Sequence, residues 1–117
     1  MSTSSRRRVL LVEDDASMTQ VLSRWFLSRG WSVVEAFHPD PEMAMYSACG
    51  LLRDNTPSVV VCDGLKGHYR GVWSMARSLG VRFILHTGGP PEDLTDLGVV
   101  VKDAHSLQRL SELLTAA

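Results

Sequence analysis

Short apolar runs alternate along this chain with stretches whose apolar residues recur at helical spacing. The runs are rich in β-branched residues and have the length of strands, which is typical of strands buried inside a sheet. The predicted strands are Val9–Val12, Trp31–Ala36, Val59–Cys62, Val81–His86 and Gly98–Val101.

Helix signals fill most of the gaps between these strands. Asp15 or Ser17 can cap a first helix that ends at Gly30, and a second helix is predicted from Pro41 to Arg53. A third is predicted from Val72 to Leu79, and leucines near the end of the chain predict a fourth. The residues predicted to face inward are Met18, Val21, Leu22, Trp25 and Phe26, then Met43, Met45, Cys49 and Leu52, then Val72, Trp73, Met75, Ala76 and Leu79, and finally Leu107, Leu110, Leu113 and Leu114. Strands that alternate with helices predict an α/β fold, with a parallel sheet covered on both faces.

Carboxylates follow two of the predicted strands. Glu13 and Asp14 come directly after the first strand, and Asp63 follows the third. The carboxyl ends of parallel strands lie at one edge of a sheet, so these side chains can meet there. Three carboxylates suit a hard divalent cation, and an aspartate beside the cation can act as a nucleophile in phosphoryl transfer.

Composition adds little to this pattern. The chain has 117 residues and a formal net charge of -1, which fits one domain and gives no overall bias toward nucleic acid or anionic membranes. The Arg6-Arg7-Arg8 run is more typical of a solvated strand entry than of a docking patch. Cys49 and Cys62 lack metal-ligand spacing, so free thiols in a reducing compartment are expected. With no membrane span or signal peptide in the pattern, a cytoplasmic protein is expected.

The ordered set Glu13-Asp14-Asp15, Asp63, Thr87 and Lys102 resembles the site residues of the receiver domain of two-component response regulators. Each residue matches weakly alone, but the set lies at successive strand ends across nearly the whole chain. The resemblance implies a single receiver domain over residues 1–117. It also implies a doubly wound, flavodoxin-like sheet of five parallel strands in the order 2-1-3-4-5.

The same resemblance implies a mechanism. Asp63 would be the phosphoacceptor, and Mg²⁺ would be held by Glu13, Asp14, Asp63 and the backbone carbonyl of Leu65. In the family, the cation offsets the repulsion between the acceptor carboxylate and an anionic phosphodonor.

Two further residues and the partners follow from the resemblance. Lys102 would add positive charge at the phosphoryl group, and Thr87 would hydrogen-bond it and draw its loop inward. The phosphodonor would be a histidine kinase or a phosphotransfer protein. Because no effector domain follows the last helix, we expect a stand-alone receiver that signals by binding another protein, and not an enzyme, a nucleic-acid binder or a membrane protein.

Plainer interpretations remain open for individual residues. Asp15 is better explained as a helix cap, Thr87 could be only a turn residue, and Lys102 could be an ordinary exposed lysine. The four histidines, His38, His68, His86 and His105, are expected to be surface or loop residues because none has a partner at metal-ligand spacing. Trp25, Trp31 and Trp73 are expected to be core or half-buried residues.

The chain also departs from the family pattern. Asp103 stands where receivers carry a proline with a cis peptide bond, so we expect a trans bond there or a helix cap. Gly67 replaces another proline, Lys66 could reach the acidic site and partly replace the cation, and Val99 replaces the aromatic switch residue.

Chain length gives the largest departure. Fourteen residues separate Thr87 from Lys102, which leaves room for at most one or two turns of the family's fourth helix. We therefore expect that helix to be reduced or missing and the output surface to differ. Two other functions are considered: a pseudo-receiver that binds partners without phosphorylation, and an aspartyl phosphatase. The phosphatase is disfavoured because Leu65 stands where a general acid would be needed.

Overall fold

The computed structural model describes residues 7–89 and 98–115, which form five strands and four α-helices. In chain order the elements are β1 (Arg8–Glu13), α1 (Ala16–Ser28), β2 (Ser32–Phe37), α2 (Pro41–Asn55), β3 (Val59–Cys62), a 3-10 turn (Leu65–Gly67), α3 (Tyr69–Ser78), β4 (Arg82–Thr87), β5 (Gly98–Val101) and α4 (Ser106–Thr115). Every predicted strand and helix is therefore confirmed, with shifts of up to three residues at the boundaries.

The strands form one parallel sheet in the order β2-β1-β3-β4-β5. β1 pairs with β3 from Val9 opposite Val59 to Val12 opposite Cys62. This confirms the predicted fold class. The chain leaves β1 toward one side of the sheet and β3 toward the other, so a crevice opens at their carboxyl ends.

Two hydrophobic layers cover the sheet. Alternate strand residues point to opposite faces, and both faces are buried, which explains the continuous apolar runs in the sequence. One layer, packed against α2 and α3, contains Leu10, Val12, Val60, Cys62 and Leu85. The other, packed against α1 and α4, contains Val9, Leu11, Val61, Ile84 and Val100. The predicted parallel sheet covered on both faces is thus confirmed, although in the edge strand β2 only Ala36 is buried.

Short polar residues fix the helix starts next to the carboxyl ends of the strands. Asp15 caps α1, because its Oδ1 accepts a hydrogen bond of 3.1 Å from the Met18 N–H. Asp40 caps α2 in the same way, with 2.9 Å to the Glu42 N–H, and Pro41 occupies the first turn. The cap interpretation of Asp15 is confirmed.

Some predicted inward positions are wrong. Val21, Met43 and Leu79 are 49%, 48% and 41% exposed. In α2 the fully buried positions include Ala44 and Ala48, small residues that let the helix lie close to the sheet. Hydrophobicity alone selected the larger neighbours, although helix geometry places them at the edge of the buried face.

The peptide bond before Asp103, the two cysteines and the three tryptophans agree with expectation. The described residues contain no cis peptide bond, so the expected trans bond between Lys102 and Asp103 is confirmed. Cys49 and Cys62 are free thiols, half-buried and buried. Trp31 is buried and Trp25 and Trp73 are half-buried, as expected. No helix in the described part of the chain is long and apolar enough to cross a membrane. The predicted reduction of the fourth helix concerns residues 90–97 and lies outside the described residues.

Candidate functional site

Three carboxylates converge where β1 and β3 end. Glu13 is the last residue of β1, Asp14 follows it, and Asp63 follows β3. The Asp63 N–H donates to the Val12 carbonyl at 2.8 Å, which continues the strand pairing by one residue and holds Asp63 beside the acidic pair. One carboxylate oxygen from each of the three residues lies within 4.8 Å of the others. The predicted convergence is confirmed.

Lys102 brings a positive charge into the same cluster. Its N–H donates to the Thr87 carbonyl at 2.9 Å, so it lies at the end of β5 beside the end of β4. Its Nζ donates to Asp63 Oδ1 and lies 3.0 Å from Glu13 Oε2. The lysine therefore bridges the buried acid of β1 and the acid that follows β3.

Burial and the crowding of negative charges raise the pKa values of two of the carboxyl groups. Burial and then repulsion by Asp63 raise the pKa of Glu13 from its ordinary value of 4.5 to about 7. The same two causes raise the pKa of Asp14. Burial opposes the charge of Lys102, but the hydrogen bond to Asp63 and the charge of Glu13 outweigh it and raise the lysine's pKa. The site therefore holds an excess of negative charge that one lysine does not balance.

The loop after Asp63 is held in an unusual backbone conformation. Leu65 and Lys66 have φ of 51° and 52°, in the left-handed region that residues other than glycine rarely adopt. This turn aims the Leu65 N–H at Asp63 Oδ2, with a hydrogen bond of 2.9 Å, while the Leu65 side chain is fully buried. This strain could not be predicted from the sequence, since neither residue is a glycine.

The Leu65 carbonyl, predicted as a metal ligand, already accepts a hydrogen bond of 3.0 Å from the His68 N–H. A carbonyl oxygen has two lone pairs, so this bond does not prevent coordination. Its role stays a prediction.

Thr87 faces the loop that follows Asp63. Its Oγ1 accepts a hydrogen bond of 3.2 Å from the Gly89 N–H, as expected of a turn residue. A Cβ at position 64 would lie 3.0 Å from the same oxygen, which explains why a glycine fits there. Thr87 thus lies next to the loop of Asp63, and its switch role stays a prediction.

Lys66 does not enter the acidic cluster. Its side chain is exposed, and among the described residues the cation bound to Glu13 and Asp63 is Lys102. Lys66 instead lines a cavity of about 320 Å³ with Tyr69 and Thr87, beside the site. The hypothesis that Lys66 takes the place of the cation is therefore not supported by the geometry.

His86 corrects the expectation that all four histidines lie at the surface. It is 0% exposed on β4, and neither ring nitrogen has a hydrogen-bond partner in the described part of the chain. Burial and then the charge of Lys102 lower its pKa from 6.5 to about 4. The position could not be inferred from polarity. The signal was its place in β4, which lies between the two apolar strands β3 and β5.

The donor set fits Mg²⁺. Glu13 is 1% exposed, and neither of its carboxylate oxygens accepts a well-aligned hydrogen bond from the described residues, although Oε2 lies close to Lys102. A buried, poorly satisfied carboxylate beside two others is what a hard cation would bind. Oxygen ligands without sulfur or imidazole favour Mg²⁺ over softer metals.

Comparison with known proteins adds evidence at the level of the fold. No protein-family model matches the chain, and a comparison with curated proteins also finds no match. Solved structures do match. The chemotaxis protein CheY4 of Vibrio cholerae has a TM-score of 0.70 at 17% identity, over 94% of this chain and 97% of that one. A response regulator from Thermotoga maritima has a TM-score of 0.72 at 13% identity, over 95% and 99%.

The chain has the fold of a response-regulator receiver domain. A third structure of this fold, from Borrelia burgdorferi, is a CheX-CheY complex with BeF3 and Mg²⁺, and it matches with a TM-score of 0.62 at 19% identity, over 93% of this chain and 90% of that one. The TM-scores establish the receiver fold. At identities this low, they show nothing about the chemistry of the site.

Proposed function

We propose that this receiver domain accepts a phosphoryl group on Asp63 from a histidine kinase or phosphotransfer protein, in a Mg²⁺-dependent reaction. The observation that carries the proposal is the cluster of Glu13, Asp14, Asp63 and Lys102 at the carboxyl ends of the strands. Burial and the crowding of three carboxylates raise the pKa of Glu13 to about 7, and such crowding is typical of a functional site.

In the proposed reaction a carboxylate oxygen of Asp63 forms a bond to phosphorus. The bond from phosphorus to the donor nitrogen breaks, and its electron pair stays on the donor's imidazole. Lys102 donates a hydrogen bond to Asp63 and offers positive charge to the incoming oxygens. The Leu65 N–H holds the other carboxylate oxygen in place. These groups are already in position before the donor arrives.

Mg²⁺, when bound, would supply the charge that offsets repulsion between donor and acceptor oxygens. Glu13, Asp14 and Asp63 would hold it, with the Leu65 carbonyl as a further ligand. Thr87 would then donate its hydroxyl hydrogen to the attached phosphoryl group and draw its loop inward, while its oxygen can still accept from the Gly89 N–H. We propose that signalling proceeds by binding a protein partner and that the domain does not turn over a substrate.

One observation favours a second function, a pseudo-receiver that binds partners without phosphorylation. Lys102 is bound to both Glu13 and Asp63, so the acceptor is already paired with a cation. If that pairing does not open, Mg²⁺ and the donor cannot reach Asp63. The fold would then act as an interaction module.

Incubation with acetyl phosphate and Mg²⁺, followed by intact-protein mass spectrometry, separates the two functions. We expect one added phosphoryl group that is stable in acid and labile in base. Asp63→Asn should abolish it because the amide cannot act as the acceptor. Asp15→Asn is the matched control, since it changes a nearby exposed carboxylate and should still be labelled.

Labelling of Asp63→Asn at the level of the unmodified protein would contradict the assignment of the acceptor. Failure to label any variant, together with failure to capture beryllofluoride in the presence of Mg²⁺, would favour the pseudo-receiver.

A further inference from the structure

Arginines collect at the end of the sheet opposite the acidic site. Parallel strands begin at this end and the preceding helices finish there, so distant parts of the chain become neighbours. We call the set the basic end: Arg7, Arg8, Arg29, Arg53 and Arg82. All five are exposed. A formal net charge of -1 therefore hides a strong separation of charge across the molecule.

Two of these arginines are held by main-chain carbonyls. Arg8 Nη1 donates to the Asn55 carbonyl at 2.9 Å, and Arg82 Nη2 donates to the Leu113 carbonyl at 2.6 Å. A guanidinium has five N–H donors, so each arginine keeps most of them for another acceptor. A carbonyl orients the side chain without neutralising its charge.

Two others are held by indole rings. The guanidinium carbon of Arg29 lies 4.1 Å from the ring centre of Trp25, and that of Arg7 lies 5.0 Å from Trp31. A cavity of about 260 Å³ lies between these four residues and Leu114 of α4. Stacking reduces the side-chain entropy that binding would otherwise cost, so the arginines are preorganised around a cavity in which Trp25, Trp31 and Leu114 supply the apolar surface.

The basic end is not paired with acidic side chains of the described residues. Within residues 7–89 and 98–115, none of its arginines forms an ion pair, although Asp54 and Glu112 lie on the helix ends nearby. Arg109, on the opposite side of α4, does form one with Asp103 at 2.8 Å.

The helix dipole explains only part of this arrangement. Arg29 and Arg53 lie at helix C-termini, where a positive charge is favourable without any ligand. Arg7, Arg8 and Arg82 lie before or at the first residue of a strand, where no helix dipole favours them.

We propose that the basic end binds an acidic segment of a protein partner, with one apolar side chain of that segment in the cavity beside Trp25 and Trp31. Carboxylates match the unused guanidinium donors, and the cavity has the size and lining for a leucine-like group. Nucleic acid is a poorer match for the aromatic residues. Trp31 is only 8% exposed and Arg29 covers Trp25, so neither ring is free to stack on a base.

The test uses a fluorescein-labelled peptide of Glu and Asp residues with one central leucine, measured by fluorescence anisotropy at low salt. Arg7→Gln and Arg82→Gln should each weaken binding about tenfold, because each removes a charged donor set. Arg109→Gln is the matched control. It removes the same charge outside the basic end and should change the affinity less than about twofold.

A second peptide with serine in place of leucine should bind about tenfold more weakly if the cavity is used. Equal loss of affinity in Arg109→Gln would show attraction to net charge alone and overturn the proposal. So would tighter binding of a single-stranded oligonucleotide than of the leucine peptide at equal salt. Thermal melts distinguish stabilisation by the helix dipole from binding of an acidic segment. Arginine variants that melt at a lower temperature but keep full affinity would show that these residues only stabilise the fold.

Discussion

Glu13 and His86 are buried residues whose protonation states differ between folded and unfolded chains. Glu13 has a folded pKa of about 7 against 4.5, so its contribution to stability is complete below pH 4.5 and is lost as pH rises to 7. His86 has a folded pKa of about 4 against 6.5, so stability is complete above pH 6.5 and is lost as pH falls to 4. Over most of this window the two effects oppose each other, and we expect a flat stability profile in metal-free buffer.

Glu13→Gln should reveal the pH dependence of stability that comes from His86. In buffer with a chelator, the free energy of unfolding of this variant should rise by up to about 3 kcal/mol from pH 4 to pH 6.5, because the large change in the His86 pKa is no longer opposed by Glu13. The raised pKa of Asp14 opposes part of this rise. Urea unfolding at several pH values measures it. A variant whose profile stays as flat as that of the unmodified protein would show that the two groups do not compensate.

His86→Leu should have the opposite profile and a more stable fold. Leucine fills the buried space and removes two ring nitrogens that have no partner among the described residues, which should stabilise the protein by about 1 kcal/mol at neutral pH. Its stability should then fall as pH rises from 4.5 to 7, because the raised pKa of Glu13, with that of Asp14 acting in the same direction, is no longer opposed by His86. The exposed His105→Leu is the control and should change little. A destabilised His86→Leu protein would mean that the imidazole has a partner that is essential to the fold.

At the scale of elements, the loop after β3 stores strain at the site. Leu65 and Lys66 both adopt left-handed φ values, which cost about 1–2 kcal/mol for each residue with a side chain. The buried Leu65 side chain and its N–H bond to Asp63 hold this shape. The strain therefore lies in the segment that orients the acceptor.

Lys66→Gly should relieve part of that strain. We expect a gain of about 0.5–1 kcal/mol in the free energy of unfolding, since glycine adopts this φ freely but loses more entropy on folding. Lys66→Ala is the matched control, because it removes the same charge and keeps the strained Cβ. If both variants gain equally, the lysine charge and not the backbone conformation is unfavourable.

The sequence predicted these elements well and their buried faces less well. Apolar runs such as Val59–Cys62 define strands because both faces of a parallel sheet are buried. Ala44 and Ala48 were missed because small residues carry little hydrophobic signal, although they allow close packing. Asp63 and Lys102 were found by their order at the strand ends. His86 and the left-handed Leu65 were missed because burial and backbone strain at single positions depend on tertiary contacts.

At the scale of the whole molecule, the carboxylates Glu13, Asp14 and Asp63 should make the free energy of unfolding depend on Mg²⁺. Binding to the folded state alone stabilises by mass action, by about 2.7 kcal/mol when free Mg²⁺ is 100 times the dissociation constant. The melting temperature should therefore rise with millimolar Mg²⁺, and less so in Asp14→Ala. Asp40→Ala, which changes an acid that caps α2, should keep the full response. An unchanged melting temperature in the unmodified protein would favour the pseudo-receiver.

Finally, we expect activation to stay at the carboxyl end of the sheet. Few bonds link the site to the neighbouring segments: the Lys102 N–H donates to the Thr87 carbonyl, and Asp103 contacts α4 through its ion pair with Arg109 and through its carbonyl, which accepts from the Ser106 N–H at the first residue of the helix. Both members of that ion pair are more than 40% exposed, so it couples α4 to the site weakly. Beryllofluoride with Mg²⁺ should therefore shift the amide resonances of residues 63–71, 87–89 and 102–105 and leave α4 from Leu107 onward nearly unchanged. Large shifts along α4 would show that the signal crosses the molecule through the core instead.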